Sequence, residues 1–334
     1  VAYRSGVNLL AGNGDGTFAS AANVTGSING ARGITIADLD GDSDIDFAVG
    51  EVHGSRMLAW YENNGSASFT KRTIGGQSGH INGINHVDYN GDGDLDLVVA
   101  IDNPADNTGG KFGLFTSDGN GGFTSAGNLS DTGSDAWGVS SADFDGDGDQ
   151  DLVVSRTGGS PVVAWYANNG SGEFSHQANL STTYASEKVA TGDLNGDGAI
   201  DILVAVGNHD KVVWYANNGS GTFVEQTALS DNSDGASWVL AKDLDGDGDL
   251  DVAAASNNDN TIAWFRNQDG GGNFSSKLVL STSHAAARGL GAADLNGDGV
   301  LDLVTCALSG DKVYSHRGVG SGGWDNLVAP VVSP

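Results

Sequence analysis

The chain has 334 residues, with 43 Asp or Glu against 15 Lys or Arg and a formal net charge of −28. That balance argues against tracking a phosphate backbone and against docking on an anionic membrane surface. No apolar run approaches the roughly 20 residues of a membrane span. Hydrophobic residues still make up 38% and fall in regular runs, so the acidity is not that of a disordered chain.

In chain order, the first apolar segments cover residues 7–11 and 17–24. They read as the outer two strands of an incomplete unit, with residues 1–3 as a remnant of its second strand. A fixed order then takes over. GITIAD leads into the acidic nonapeptide DLDGDSDID at Asp38, and DFAVG, MLAWYENNG and a Gly-rich turn ending at Phe69 follow. The nonapeptide recurs as DYNGDGDLD at Asp88, DFDGDGDQD at Asp143, DLNGDGAID at Asp193, DLDGDGDLD at Asp243 and DLNGDGVLD at Asp294. The intervals are 50 to 55 residues. Each copy is followed by a compact apolar run such as DLVVA or DILVA, then by a third run such as VVAWYANNG, KVVWYANNG or TIAWFRNQ.

Apolar runs of this length bounded by Gly, Asn and Asp are strands. Helical periodicity is absent, and 53 glycines would penalise helices heavily. Four short antiparallel strands per unit, repeated at this length, describe a propeller blade. The Gly-rich turn with its aromatic occurs seven times, ending at Phe18, Phe69, Phe123, Phe174, Phe223, Phe274 and Trp324, whereas the acidic loop occurs six times. The expected fold is all-β, a single seven-bladed β-propeller domain over 1–334 made of four-stranded antiparallel blades. Its first blade (1–27) is incomplete, and full blades span 28–77, 78–132, 133–182, 183–232, 233–283 and 284–334. Six blades plus an N-terminal hairpin is the alternative. An incomplete blade leaves an unpaired edge that invites a partner strand or an oligomer contact.

Within each nonapeptide, Asp or Asn at positions one, three, five and nine concentrates hard oxygen ligands in one small volume, as the start of an EF-hand loop does. The backbone carbonyl of position seven would add a fifth ligand. The six sets are Asp38, Asp40, Asp42, Asp44 and Asp46; Asp88, Asn90, Asp92, Asp94 and Asp96; and Asp143, Asp145, Asp147, Asp149 and Asp151. They continue with Asp193, Asn195, Asp197, Ala199 and Asp201; Asp243, Asp245, Asp247, Asp249 and Asp251; and Asp294, Asn296, Asp298, Val300 and Asp302. Ala199 and Val300 are tolerated because position seven would offer only its carbonyl. Ser43 replaces the second Gly in the first loop. The loops hold 25 of the 43 acidic residues, and about six structural Ca²⁺ would bring the charge from −28 to about −16.

The repeating units resemble FG-GAP/VCBS-type repeats, the calcium-loop blades of integrin α-subunit heads, some lectins and several secreted polysaccharide-active proteins. The resemblance covers about residues 30–334. It implies a secreted or cell-surface protein with structural calcium. The start at Val1, without a secretory h-region, reads as a mature or trimmed chain. Cys306 is the lone cysteine, so no internal disulfide is possible, and its apolar run points to a buried thiol.

In an up-and-down blade, the acidic loops and the NNG turns lie on one face, so binding is expected on the other. Six residues before each loop stand Arg32, Asn82, Trp137, Glu187, Ser237 and Arg288, followed by Gly33, Gly83, Gly138, Lys188, Trp238 and Gly289. A packing position would be uniformly apolar. This mixture, expected near a central channel, makes Arg32, Asn82, Trp137, Lys188, Trp238 and Arg288 the candidate ligand-binding residues. Aromatic faces stack on pyranose rings, while Arg and Asn bond hydroxyls or carboxylates. Packing of Trp137 and Trp238 under neighbouring loops is the competing reading. Trp60, Trp165, Trp214 and Trp264 recur at one strand position and read as core.

These features point to a calcium-stabilised binding module whose partner is a glycan or an extracellular protein, with lectin-like or adhesive use. A structural part of a surface assembly is an alternative. The enzymatic alternative is a polysaccharide lyase on acidic glycans, drawing on His80, His86, or His284 with Arg288. No nucleophile elbow, P-loop or HExxH is present.

Overall fold

Runs of Val, Ile, Leu and Ala cut by Gly and Asp cannot wind into helices of useful length, and the chain is built of strands. The computed structural model describes all residues except 1, 4–5, 27, 29, 52–56, 77–78, 103–109, 130–133, 159–161, 182–185, 310–311, 319–323 and 333–334. No helix among the described residues is long and apolar enough to cross a membrane.

Six four-stranded antiparallel sheets follow one another. They are β4 (Ala31–Ala37), β5 (Asp46–Glu51), β6 (Met57–Asn63) and β7 (Phe69–Gly76); β8 (His80–Val87), β9 (Asp96–Asp102), β10 (Lys111–Ser117) and β11 (Phe123–Asn128); and β12 (Ser134–Ala142), β13 (Asp151–Gly158), β14 (Val163–Asn168) and β15 (Phe174–Ser181). Next come β16 (Lys188–Gly192), β17 (Asp201–Val206), β18 (Lys211–Asn217) and β19 (Phe223–Glu225); β20 (Ala236–Lys242), β21 (Asp251–Ser256), β22 (Thr261–Phe265) and β23 (Leu278–Ser281); and β24 (Ala287–Ala293), β25 (Asp302–Ala307), β26 (Lys312–Gly318) and β27 (Trp324–Val332). Every sheet keeps its strands in chain order, the up-and-down pattern of an all-β propeller blade.

The N-terminal segment differs from the seven-blade expectation. β1 (Ala2–Tyr3), β2 (Gly6–Leu9) and β3 (Ala22–Asn23) form a small three-stranded sheet in the order β1-β2-β3. The described fold is therefore six blades plus a small hairpin sheet, which is the alternative the sequence offers and not its seven-blade expectation. The Gly-rich turn ending at Phe18 does form, but it closes on one isolated bridge, Gly12 to Phe18, rather than on a long fourth strand. This segment has no acidic loop, and among the described residues no long inner strand stands beside the turn.

The chain divides into two compact units. One holds Val1–Asn8 and Asn23–Thr183, with the blades β4–β7, β8–β11 and β12–β15. The other holds Leu9–Ala22 and Tyr184–Pro334, with the blades β16–β19, β20–β23 and β24–β27.

Within each unit, the second strands are the spine. β5, β17 and β21 are buried along their whole length, which accounts for compact apolar runs in place of polar alternation. Aromatics knit consecutive blades together. Trp60 of β6 meets Phe123, the first residue of β11, edge-on at 6.4 Å between centroids, and its indole N–H donates to the carbonyl of Gly121 at 3.1 Å. Tyr89 and Phe174, Trp214 and Phe274, and Trp264 and Trp324 repeat the edge-on contact. Phe123, Phe174, Phe274 and Trp324, each ending a Gly-rich turn, thus pack against the blade before them. Gly121, at φ +79°, lies directly under the Trp60 ring, where a Cβ has no room. Trp60, Trp165, Trp214 and Trp264 are all buried, as expected of core. Trp60→Ala is expected to cost about 3–5 kcal/mol of unfolding free energy by urea denaturation, with Trp60→Phe intermediate.

Candidate metal loops and ligand clusters

Each acidic loop is wound by its own carboxylates. In the third, Asp143 accepts the amides of Gly146 at 2.7 Å and Gly148 at 3.0 Å. The Asp147 and Asp149 amides donate back to Asp145 and Asp147 at 3.3 and 3.0 Å. The other loops follow the same pattern. At position seven, Ala199 and Val300 donate their N–H to Asp197 and Asp298 at 2.9 Å, as Asp44, Asp94, Asp149 and Asp249 do in their own loops, so the side chain there is dispensable. Gly93, Gly148 and Gly248 at position six take φ of 94–99°, which an L residue adopts only under strain. Ser43 holds the same position at φ 75°.

The ninth-position aspartate is the anchor. Asp96 accepts the Tyr89 amide at 3.3 Å and the Ser117 amide at 2.7 Å, tying the loop to the end of the third strand. Asp46, Asp151, Asp201, Asp251 and Asp302 make the same pair of bonds. All six are buried. Burial first, and neighbouring loop carboxylates after it, push Asp96, Asp151, Asp201 and Asp251 up to about 6 against the hydrogen bonds that oppose this. Burial and adjacent aspartates also raise Asp40, Asp145 and Asp245 at position three. Such crowding is relieved by a cation.

Carboxylate oxygens converge within 4.8 Å of one another in Asp38, Asp40 and Asp42, in Asp143, Asp145 and Asp151, and in Asp243, Asp245 and Asp247. These acidic clusters can hold a metal ion, and their all-oxygen donor set suits a hard dication. The loops with Asn at position three close differently. The Asn90 and Asn195 amides donate to Asp92 at 2.9 Å and Asp197 at 3.0 Å. Among the described residues they form no such trio.

At the opposite end of the first strands, the sequence-selected residues gather within each unit. In the first, Arg32 donates to the Asn82 side-chain oxygen at 2.9 Å and lies 4.9 Å from the Trp137 ring centroid. Asn82 is buried and donates to the carbonyl of Ala136 at 3.0 Å. Asp102 is nearby; burial and Asp135 raise its carboxyl, and Arg32 offsets part of that rise. In the second unit, the Lys188 ammonium sits 4.6 Å over the Trp238 ring. Burial lowers Lys188 to about 8. Arg288 reaches Glu187 at 3.3 Å, a pairing the sequence reading did not anticipate. Ser237 is buried and bonds the Ala287 carbonyl at 2.8 Å, and Trp238 rests partly on Ala255, Ile262 and Ala287. Packing and display therefore share these positions.

The histidines separate. His86 bonds Thr35 at 2.6 Å and is held low by burial. His80 is half-buried in β8. His284 lies in the interior of the last blade. It is wholly buried, 4.0 Å from the Tyr314 ring, with its Nε2 3.3 Å from that of His316. Burial pushes both histidines down to about 4, and in His284 the neighbouring His316 adds to it. Cys306 is pushed up to about 11 by burial, consistent with an inert thiol.

The FG-GAP-like repeat pattern matches residues 38–99, 88–154, 143–204, 193–254 and 243–305. No curated protein matches the chain. Among solved structures, the fold is similar to the periplasmic gluconolactonase of Pseudomonas aeruginosa, with TM-score 0.70, 12% identity, and 99% of this chain and 94% of that chain covered. It is also similar to a protein from Lactobacillus plantarum, with TM-score 0.66, 13% identity and coverage of 95% and 89%. A lectin from Aleuria aurantia in complex with Fucα1-6GlcNAc gives TM-score 0.55, 11% identity and coverage of 91% and 96%. At these identities the likeness establishes the fold.

Two outcomes follow from this geometry. Ser43→Gly should raise stability by about 1 kcal/mol in urea titrations, because it removes a left-handed non-Gly residue. In the unfolded chain His284 and His316 take up protons near 6.5, whereas in the fold they resist until about 4. Acid therefore favours unfolding across that window. Relative to His316→Gln, the natural chain should lose on the order of 2 kcal/mol as pH falls from 6.5 to 4.

Proposed function

The chain belongs to the FG-GAP-like repeat family, and on that premise we propose that it is a secreted, calcium-stabilised binding module that recognises glycans. The observation that carries the reading is the pairing of an indole face with a cationic side chain at the same end of the first strands in both units. Arg32 lies with Trp137, and Lys188 lies over Trp238. An indole offers an apolar plane for the C–H face of a sugar ring, and a cation beside it bonds hydroxyls or a carboxylate. The two sets sit on strand starts held by buried spines, so their geometry is preorganised.

Calcium would be held by the side chains of positions one, three, five and nine, and it would neutralise carboxylates that burial and crowding make costly. Its role is structural here, since it stiffens the blade end opposite the binding clusters. The fold-level likeness to a lectin captured with a fucosylated disaccharide is compatible with this reading, and the carboxylate-binding capacity of Arg32 and Lys188 favours acidic glycans within it. A protein-adhesive use is the second reading. Val224 in β19 and Leu278 and Val279 in β23 favour it, because they expose apolar side chains on the fourth strands of two blades.

The test is a glycan array probed with the calcium-loaded protein, including acidic polysaccharides. Retention should fall more than about tenfold in Trp137→Ala and Trp238→Ala, with both variants still folded and the thermal midpoint of Trp238→Ala lowered only modestly by its lost packing. Loss of folding in both variants would return these residues to packing, and a blank array with folded protein would move the reading to a protein partner.

A further inference from the structure

The residue that precedes the third-strand amide bonded to the ninth-position aspartate stands beside its blade's acidic loop, and the repeat does not hold it constant. It is Glu62, Thr116, Ala167, Ala216, Arg266 and Arg317 in blade order. In the fifth loop this position changes the chemistry. The Arg266 Nε lies 2.6 Å from Asp245 Oδ2, and its Nη2 lies 3.3 Å from Asp247 Oδ2. These are the third and fifth positions of the loop. The Asp245 side chain is only 1% exposed, so the pair is shielded from water on that side. Arg317 makes a single comparable contact, 3.2 Å from Asp298 in the sixth loop.

A dication in this loop needs oxygens of Asp245 and Asp247 at roughly 2.3–2.6 Å. The guanidinium already occupies the Oδ2 atoms of both, with its positive charge where the ion's would be. Two cations cannot share so small a volume without strong repulsion. The carboxylates of Asp243, Asp245 and Asp247 converge as closely as the trios of the first and third loops and could hold a metal by themselves, but with Arg266 in place the site does not fit one. In the first loop the same strand position carries the carboxylate of Glu62, which pushes the Asp40 pKa upward alongside burial and Asp42.

We propose that Arg266 is the resident cation of the fifth loop: its guanidinium replaces the divalent metal there, so this blade's loop is closed without an ion. The proposal rests on the reading of the remaining loops as calcium sites, and the experiment separates the two. Native mass spectrometry of the whole chain at saturating calcium counts bound ions. Arg266→Ala, which places after β22 the residue that stands at this position in β14 and β18, should bind one more calcium ion than the natural chain. Its thermal midpoint in chelator should drop below that of the natural chain and recover on calcium addition. Arg266→Lys should keep the natural count. An equal count for Arg266→Ala and the natural chain overturns the proposal, whatever that count is. A natural chain that binds no calcium overturns the calcium reading of the other loops, while a gained ion in Arg266→Ala would still support the proposal. If Arg266→Ala does not fold, Arg266→Thr, which brings in the residue type that Thr116 supplies in β10, is read by the same count.

Discussion

A buried carboxylate at the ninth loop position is the constraint from which the rest of each blade follows. One oxygen accepts an amide from the loop's second residue, and the other accepts an amide from the end of the third strand, as Asp151 does with Phe144 and Asn168. A single side chain thereby sets the loop against the sheet and brings three of the four strands into register. The arrangement is costly in isolation, because a carboxylate out of water is penalised unless it is bonded or neutralised. Two amides offset part of that cost. Further acidic groups a few residues away add to it, so each loop is a site of unrelieved negative charge that calls for a cation.

The chain's loops meet that demand in two different ways of arranging charge. Loops such as Asp38–Asp40–Asp42 converge hard oxygens with no basic group among them, the donor set of an exchangeable ion. The fifth loop carries its cation covalently, on Arg266. Stability that depends on a dissolved ion varies with its concentration, whereas a guanidinium is always present and always charged. Blades of one fold can thus differ in what they ask of the surroundings without any change in backbone.

The proposed binding clusters lie away from this machinery. The acidic loops and the Gly-rich turns share one end of each blade; Gly65, Gly119, Gly170 and Gly270 of those turns lie so close to the carboxylates of Asp44, Asp94, Asp149 and Asp249 that a Cβ would push them aside. The other end is left to first-strand residues that the repeat does not restrain. There the chain places Arg32, Trp137, Lys188 and Trp238. Rigidity at one end and variation at the other suit a fold that presents ligand groups on a preorganised frame.

The blade repeat, the four-strand order and the acidic loops were legible in the amino-acid sequence, because each is a local pattern: short apolar runs, glycines at left-handed positions and carboxylates two residues apart. Burial of the four repeated tryptophans was legible for the same reason. The N-terminal segment was misjudged, since its Gly-rich turn matches the others in sequence, and only the absence of a long strand beside it leaves a small sheet in place of a blade. Tertiary structure alone decided which side chains meet. Arg32 and Asn82 are 50 residues apart, Glu187 and Arg288 lie on different blades, and His284 turns inward to His316 although its neighbour Arg288 faces Glu187. Arg32 meets Asn82 because their sheets follow one another in the chain, Glu187 meets Arg288 from two blades away, and His284 meets His316 within one blade; no periodicity within a strand encodes any of the three.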